Sequence, residues 1–156
     1  MNKPTIYTAQ IKNVNFGINV KIVEPLNMYG CNVGSNTFIG PFVEIQKDVT
    51  IGKNCKIQSH TFICELVTIG DNTVIAHGVM FINDLFLNAG PANGDKKLWK
   101  STNLGNNVSI GSNATILPVN ICDNVVIGAG AVVTKDIKES GIYIGNPARK
   151  VRDILI

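Results

Sequence analysis

The sequence predicts an all-β protein, and more specifically a parallel β-helix built from one repeated turn. A branched or aromatic apolar residue returns every six positions from Val33 to Phe81, and the register resumes from Leu104 to Val133. A small or β-branched residue, such as Thr37, lies four positions after most of these anchors. A period of six fits neither an amphipathic helix nor a long strand. It fits short strands joined by sharp corners, with three strands in a coil of about eighteen residues.

Glycine often follows the apolar anchor, as at Gly34, Gly40 and Gly52. Glycine suits a corner where φ is positive or where two backbones crowd each other. Anchors and small residues together would fill a narrow prism, and successive coils would stack about 4.8 Å apart through parallel ladders. A single coil cannot bury its apolar face, so we expect stacking to supply the stability.

The register is interrupted twice. The step from Ile116 to Ile121 is five residues, which predicts a tightened corner carrying Pro118. Residues 85–103 leave the register and contain Gly, Pro, Asn and three Lys. A long excursion from a regular solenoid is usually functional or disordered. We therefore expect an extruded loop over about 85–103 that covers the substrate, with Trp99 holding it against a neighbouring surface.

Composition narrows the class of protein. The 156 residues predict one domain, 1–156. A net charge of +3 is too small and too scattered for nucleic-acid binding. The chain contains no apolar run of about eighteen residues and no signal-like opening, so we expect no membrane association and a cytoplasmic location. The four cysteines form no CxxC pair and are interpreted as reduced structural thiols.

Chemistry-bearing residues fall at stacked positions. With eighteen residues in a coil, Glu65 and Asn83 lie directly above one another, and Asp84 follows at the entrance to the loop. Two carboxylates with an amide suit an amine or ammonium group, because the carboxylates hold it and the amide can donate or accept. The three side chains therefore predict a polar site at one corner of the prism.

The repeat resembles that of the hexapeptide-repeat acyltransferases, which fold as left-handed parallel β-helices. Within residues 43–84, the segments IQSHTFIC and GVMFIND resemble acetyltransferases that modify the 3-amino group of nucleotide-linked (dTDP or UDP) deoxyaminosugars. Such sugars are used for bacterial surface polysaccharides, including O-antigen and lipopolysaccharide. The resemblance implies a left-handed coil and places Glu65, Asn83 and Asp84 around the sugar amine.

Both histidines are candidates for the site. Many hexapeptide O-acetyltransferases use a histidine as general base, because a hydroxyl must lose its proton during attack. An amine has its own lone pair, so a base such as His77 is helpful here without being obligatory, and a proton can leave to the thiolate or to Asp84. We assign His60 as a substrate or structural contact that approaches His77 from a neighbouring coil.

The carboxyl end carries the predicted cofactor residues. VVIGAGAVVTKDI and IGNPARKVR resemble the last coil and tail of members that use coenzyme A. The resemblance implies that Ala129 lines the pantetheine groove and that Thr134 and Lys135 lie at its far end. Arg149 and Arg152 would lie near the phosphorylated adenosine. It also implies acetyl-CoA as co-substrate, no metal, and a homotrimer with coenzyme A between two prisms.

The predicted function is transfer of acetyl from acetyl-CoA to the 3-amino group of a nucleotide-linked deoxyaminosugar. Three alternatives stay open at the level of the sequence. One is O-acetyl transfer to a sugar or another small hydroxyl acceptor, with His77 as base. Another is a metal-dependent hydratase of the carbonic anhydrase kind, although such a site takes three histidines and only two exist. The third is a scaffold without catalysis.

Overall fold

A computed structural model describes residues 3–154 as a three-sided β-solenoid. Each coil contributes a short strand to each of three sheets, and the seven strands of the first sheet correspond to seven coils. Strands are parallel within every sheet except at the last pair of the chain. The predicted all-β parallel β-helix is therefore confirmed.

The three sheets are named A, B and C in the order in which the chain visits them. Sheet A contains β1 (Ile11–Lys12), β4 (Asn27–Tyr29), β7 (Glu44–Ile45), β10 (Phe62–Ile63), β13 (Met80–Phe81), β16 (Thr115–Ile116) and β19 (Val132–Val133). Sheet B contains β2 (Asn15–Phe16), β5 (Asn32–Val33), β8 (Thr50–Ile51), β11 (Val67–Ile69), β14 (Thr102–Leu104) and β17 (Asn120–Ile121). Sheet C contains β3 (Lys21–Ile22), β6 (Phe38–Ile39), β9 (Lys56–Ile57), β12 (Val74–Ile75), β15 (Ser109–Ile110), β18 (Val125–Ile127), β20 (Gly141–Ile144) and the antiparallel β21 (Arg149–Arg152). The corners between sheets are called A–B, B–C and C–A.

The apolar anchors fill the inside of the prism, as predicted. Ile57 and Ile63 have no exposed surface, and every anchor from Val33 to Val133 is buried. The small residues four positions after the anchors are buried as well, including Thr37. The repeat also extends below Val33, where the strands β1 to β4 already form coils, although the five-residue steps from Ile11 to Phe16 and from Met28 to Val33 hide the period.

Of the two reasons suggested for glycine at the corners, the structure rules out a positive φ. The glycines after the anchors do not have positive φ; that conformation falls two residues later, at Asn36, Asn54 and Asn72. Asparagine tolerates the left-handed region better than most residues. These side chains also form a ladder along the B–C corner, with the Asn36 amide donating to Asn54 at 3.2 Å and the Asn54 amide to Asn72 at 3.0 Å. Sequence analysis missed this asparagine position.

Crowding explains why glycine follows the anchor. A Cβ added to Gly34 would lie 2.5 Å from the backbone carbonyl of Gly52 on the next coil. Real Cβ atoms do not approach a backbone carbonyl so closely, and neither group can move without shifting a coil. Glycine is therefore required by the stacking distance.

Both interruptions of the register keep the stacking. After the five-residue corner, Leu104 still pairs with Ile121. The excursion ends at Ser101 and not at residue 103 as predicted, because β14 begins at Thr102 and restores the ladder with β11. One 3-10 helix, Lys96–Leu98, lies in the loop. In the described part of the chain, no helix is both long enough and apolar enough to cross a membrane.

We predict that Gly34→Ala destabilises the protein by about 1–3 kcal/mol, the usual cost of overpacking a well-filled region. Urea unfolding at fixed protein concentration measures this cost. Gly90→Ala is the matched control, because its nearest neighbouring atom would be 4.0 Å away and its φ is not positive. Equal midpoints for both variants would contradict the crowding explanation.

Candidate active site

Glu65 and Asn83 lie on neighbouring coils at the A–B corner, where the eighteen-residue period places them. The Asn83 side-chain amide donates to the backbone carbonyl of Glu65 at 3.3 Å. One coil below, the Glu65 N–H donates to the Gln46 side-chain carbonyl at 3.3 Å. The corner is therefore a vertical column of polar groups whose spacing is set by the parallel ladders.

The Glu65 carboxylate is the central charge of this column. Glu65 is the one charged residue among residues 3–154 that is buried, with 11% of its side chain exposed. It pairs with Lys96 of the extruded loop, whose Nζ lies 2.6 Å from Glu65 Oε2 and 3.1 Å from Asp48 Oδ2. The Lys96 ammonium also lies 5.9 Å from the centre of the Trp99 ring.

This pairing favours the charged form of the lysine. The hydrogen bond to Glu65, and then that to Asp48, raise the pKa of Lys96 above its ordinary value. Charge-assisted hydrogen bonds are shorter and stronger than neutral ones, and a half-buried setting strengthens them further. The corner therefore binds a primary ammonium in the structure itself.

Asp84 holds the neck of the loop. One carboxylate oxygen accepts from the Phe86 N–H at 2.9 Å, and the other accepts from the Ala92 N–H at 2.7 Å. Asp84 also forms an antiparallel bridge with Trp99. The sequence placed Asp84 near the amine and did not anticipate that both oxygens bind loop backbone, although each keeps a second lone pair.

A groove runs beside this column and has a cavity volume of about 410 Å³, within the range of small-molecule sites. We call it the A–B groove. Its polar wall contains Glu65, Asn83 and Asp84, and its apolar wall contains Phe62 and Trp99. The predicted role of Trp99 as a loop anchor agrees with its position over this groove.

The two histidines lie elsewhere, at the C–A corner. His77 Nδ1 is 2.9 Å from Ser59 Oγ, so the residue stacked beneath His77 is Ser59 and not His60. His60 stacks on Phe42, with ring centroids 4.9 Å apart. His77 and Asn83 are six residues apart across sheet A, roughly 20 Å at about 3.3 Å per residue. Within one chain, the structure does not bring the histidines to Glu65.

Three of the five predicted cofactor residues divide between the same two corners. Exposed Ala129 lies at the C–A corner, whereas exposed Thr134 and Lys135 follow β19 at the A–B corner. Arg149 and Arg152 lie on exposed β21. Ala129, Thr134 and Lys135 therefore flank β19, the last strand of sheet A, whereas the two arginines lie at the edge of sheet C.

The tail is fixed to the last coil. The Ala148 N–H donates to the Val132 carbonyl at 2.8 Å, which holds the turn before β21 against sheet A. Lys150, a further cation of the tail, is paired with Asp153 at 2.8 Å and with Glu139 at 3.4 Å. Within residues 3–154, Arg149 and Arg152 take part in no ion pair.

Cysteine and metal chemistry receive no support from this site. Burial raises the pKa of the Cys31 thiol to about 11 and that of Cys64 to about 12, so neither is a thiolate near neutral pH. All four cysteines are free. Across residues 3–154, no three His, Cys, Asp or Glu side chains are grouped so that they could hold a metal ion.

The fold and the repeat define a hexapeptide-repeat β-helix protein. Residues 30–65 match the family "bacterial transferase hexapeptide (six repeats)". Residues 102–135 match "hexapeptide repeat of succinyl-transferase". The predicted resemblance to hexapeptide-repeat acyltransferases is confirmed.

Among individual proteins, the chain is similar to AntD, an N-acyltransferase from Bacillus cereus. A variant of AntD in complex with dTDP-4-amino-4,6-dideoxyglucose and coenzyme A has a TM-score of 0.81 and 26% identity, over 91% of this chain and 84% of that one. AntD in complex with dTDP and 3-hydroxybutyryl-CoA has a TM-score of 0.79 and 27% identity, over 90% and 82%.

Curated relatives share the repeat over part of their length. The bifunctional protein GlmU of Clostridium botulinum (strain ATCC 19397 / Type A) is 35% identical over an alignment of 150 residues that covers 90% of this chain and 32% of that protein. GlmU of Thermodesulfovibrio yellowstonii is 33% identical over 151 residues, 91% and 33% of the two chains. The chain thus spans about a third of the length of the curated relatives it matches.

We predict that Asp84→Ala opens the loop and leaves the coil intact. The variant loses two hydrogen bonds to a charged acceptor, each worth ~1.5–3 kcal/mol, so proteolytic cleavage within 85–98 rises by about tenfold or more. Limited proteolysis followed by mass spectrometry measures the rate. Asp95→Ala is the control, because Asp95 caps only the short helix through Lys97 N–H. Equal cleavage in both variants would contradict the neck assignment.

Proposed function

We propose that the protein transfers an acetyl group from acetyl-CoA to the 3-amino group of a nucleotide-linked deoxyaminosugar. The observation that carries this proposal is the buried Glu65 carboxylate, which holds a primary ammonium at 2.6 Å beside the Asn83 amide. An aminosugar presents the same ammonium group. Similarity to AntD, an N-acyltransferase solved with dTDP, an aminosugar and coenzyme A, supports the substrate class.

In this proposal, Glu65 orients the acceptor amine and takes up the proton that the ammonium must lose before attack. The freed lone pair attacks the thioester carbonyl carbon, and the C–N bond forms as the carbonyl becomes an oxyanion. Asn83 forms a hydrogen bond with the amine or donates one to that oxyanion. The C–S bond then breaks, and the amine's second departing proton ends on the thiolate, which leaves as free coenzyme A. Holding the two reactants together supplies much of the rate.

Coenzyme A would lie along sheet A, with its pantetheine beside Ala129 and its far end near Thr134 and Lys135. Arg149 and Arg152 would bind the phosphates, because guanidinium groups match phosphate geometry. Their freedom from ion pairs within the described chain supports this role. Lys150 is already neutralised by Glu139 and Asp153 and is a weaker candidate.

We further propose that the active enzyme is a homotrimer with sites shared between copies. One chain carries Ala129 and His77 at the C–A corner, and Glu65 and Asn83 at the A–B corner, roughly 20 Å apart across sheet A. A three-fold arrangement of identical prisms is closed. It would place the A–B corner of one copy beside the C–A corner of the next. Exposed apolar residues at the loop, among them Phe86 at 60%, offer a surface for that contact.

An O-acetyltransferase is the second candidate. The Ser59–His77 hydrogen bond at 2.9 Å orients the imidazole ring and leaves Nε2 for a substrate proton. A maltose O-acetyltransferase from Clostridium difficile shares the fold, with a TM-score of 0.52 and 26% identity over 94% of this chain and 70% of that one. In this alternative a hydroxyl replaces the amine, and His77 is indispensable.

We expect thiol release from acetyl-CoA to require an amine acceptor. The assay compares dTDP-3-amino-3,6-dideoxyglucose, dTDP-4-amino-4,6-dideoxyglucose, their UDP counterparts and dTDP-6-deoxyglucose, which carries hydroxyl groups alone. Glu65→Gln keeps the size of the side chain and removes its charge, so kcat/KM for the preferred amine falls by about tenfold or more.

His77→Ala distinguishes the two candidates in the same assay. A variant that keeps most of its activity favours the amine acceptor. Near-total loss, together with turnover of the hydroxyl sugar, would replace the proposal by the O-acetyltransferase. Turnover of the 4-amino sugar alone would correct the position of the acceptor amine and leave the reaction class in place.

Subunit sharing is tested by mixing two impaired variants. Glu65→Gln disables the A–B corner, and Ala129→Trp blocks the C–A corner. If sites are shared, a co-expressed mixture regains activity. The intact C–A corner of the Glu65→Gln chain then meets the intact A–B corner of the Ala129→Trp chain. Light scattering should give three times the chain mass of 16.8 kDa. A fully inactive mixture of trimers would show that copies do not share sites.

A further inference from the structure

Lys96 places a second primary ammonium where the acceptor's amine is proposed to bind. Its Nζ contacts Glu65 at 2.6 Å, and Glu65 lines the A–B groove together with Asn83 and Trp99. A lysine ammonium and the ammonium of an aminosugar are chemically equivalent ligands of a carboxylate. Two ammonium groups beside one carboxylate repel each other, so the acceptor competes with the protein's own side chain.

The buried carboxylate explains why an occupant is needed. With 11% of its side chain exposed, Glu65 has little access to water. A buried charge without a partner is strongly unfavourable, since desolvation is not repaid. When the groove is empty, Lys96 therefore provides Glu65 with a partner of opposite charge.

The lysine can leave without dismantling the site. Its side chain is 44% exposed, and its second partner, Asp48, is 56% exposed. The loop itself is held independently at its neck by Asp84, which accepts from the Phe86 and Ala92 N–H groups. Breaking the contact to Glu65 thus requires rotation of one long side chain, with the Asp48 contact available throughout.

We propose that Lys96 is the resident cation of the acceptor-amine subsite and a specificity-determining residue. An incoming ammonium displaces it from Glu65, so the substrate cation replaces the lysine cation beside the same carboxylate. A neutral hydroxyl acceptor would displace Lys96 and leave Glu65 unpaired, and such acceptors are therefore rejected. This inference rests on the proposed function for its substrate, while the cation subsite can be tested without any turnover.

The kinetic test compares Lys96→Met with Lys97→Met. Lys97 lies beside Lys96 in the same short helix and forms no ion pair within residues 3–154. Removing the resident competitor should lower KM for the amine acceptor by about threefold or more with kcat little changed, since the competent fraction of sites rises. Inhibition by dTDP-6-deoxyglucose should become stronger as well. Lys97→Met should match the wild type.

A readout without turnover is chemical rescue of Lys96→Ala. This variant leaves a space beside an unpaired Glu65, so its Tm should be lower, and ethylammonium chloride should raise it more than equimolar sodium chloride does. The double variant Lys96→Ala, Glu65→Gln should lose the ethylammonium effect, because no carboxylate remains. Binding of the cation to the native form alone produces the stabilisation.

The outcomes separate the two proposals. Rescue that depends on Glu65, without acetyl transfer to any sugar, would refute the proposed function and keep the cation subsite. Acetyl transfer to an aminosugar with no rescue, or with KM raised in Lys96→Met, would overturn the resident role. A raised KM would instead make Lys96 a residue that binds the substrate.

Discussion

The vertical register of the coils is the constraint on which the site depends. Glu65 and Asn83 touch because Phe62 pairs with Met80 in the strands that lead to the A–B corner. A slip of one residue between these coils would turn the side chains of a whole strand to the other face. The buried anchors prevent that slip, since each would have to leave the prism. The same apolar column that stabilises the fold therefore also positions the polar groups at its corner.

The loop divides structure and chemistry between its two ends. Its neck, at Asp84 and Trp99, is bound by a strand-like bridge and by two backbone N–H groups that donate to the Asp84 carboxylate. Its short helix brings Lys96 to Glu65 through a contact between side chains alone. Backbone bonds fix a segment, whereas a lysine side chain exchanges partners at low cost. The loop can therefore stay in place while one cation replaces another at Glu65.

Periodicity decided what the sequence could predict. The buried anchors, the small residues and the Glu65–Asn83 contact all follow from counting eighteen residues to a coil. The asparagines at the corners were missed because their role depends on φ, which a hydropathy pattern does not report. Lys96 and the neck role of Asp84 depend on the path of a segment without any period. The separation of His77 from Glu65 follows from counting six residues along a face, but a resemblance centred on one contiguous stretch concealed it.

Coil stacking also has a consequence for how such a chain can change length. Distances within the site are set by the two coils that contain Glu65 and Asn83, and the coils below them only support these two. Adding or removing one complete turn near the amino end would change the length of the solenoid and leave the geometry of Glu65 and Asn83 unchanged. A single-residue insertion within a strand between positions 65 and 83 would turn the following side chains of that strand to the other face. Whole turns are thus the natural unit of growth for this architecture.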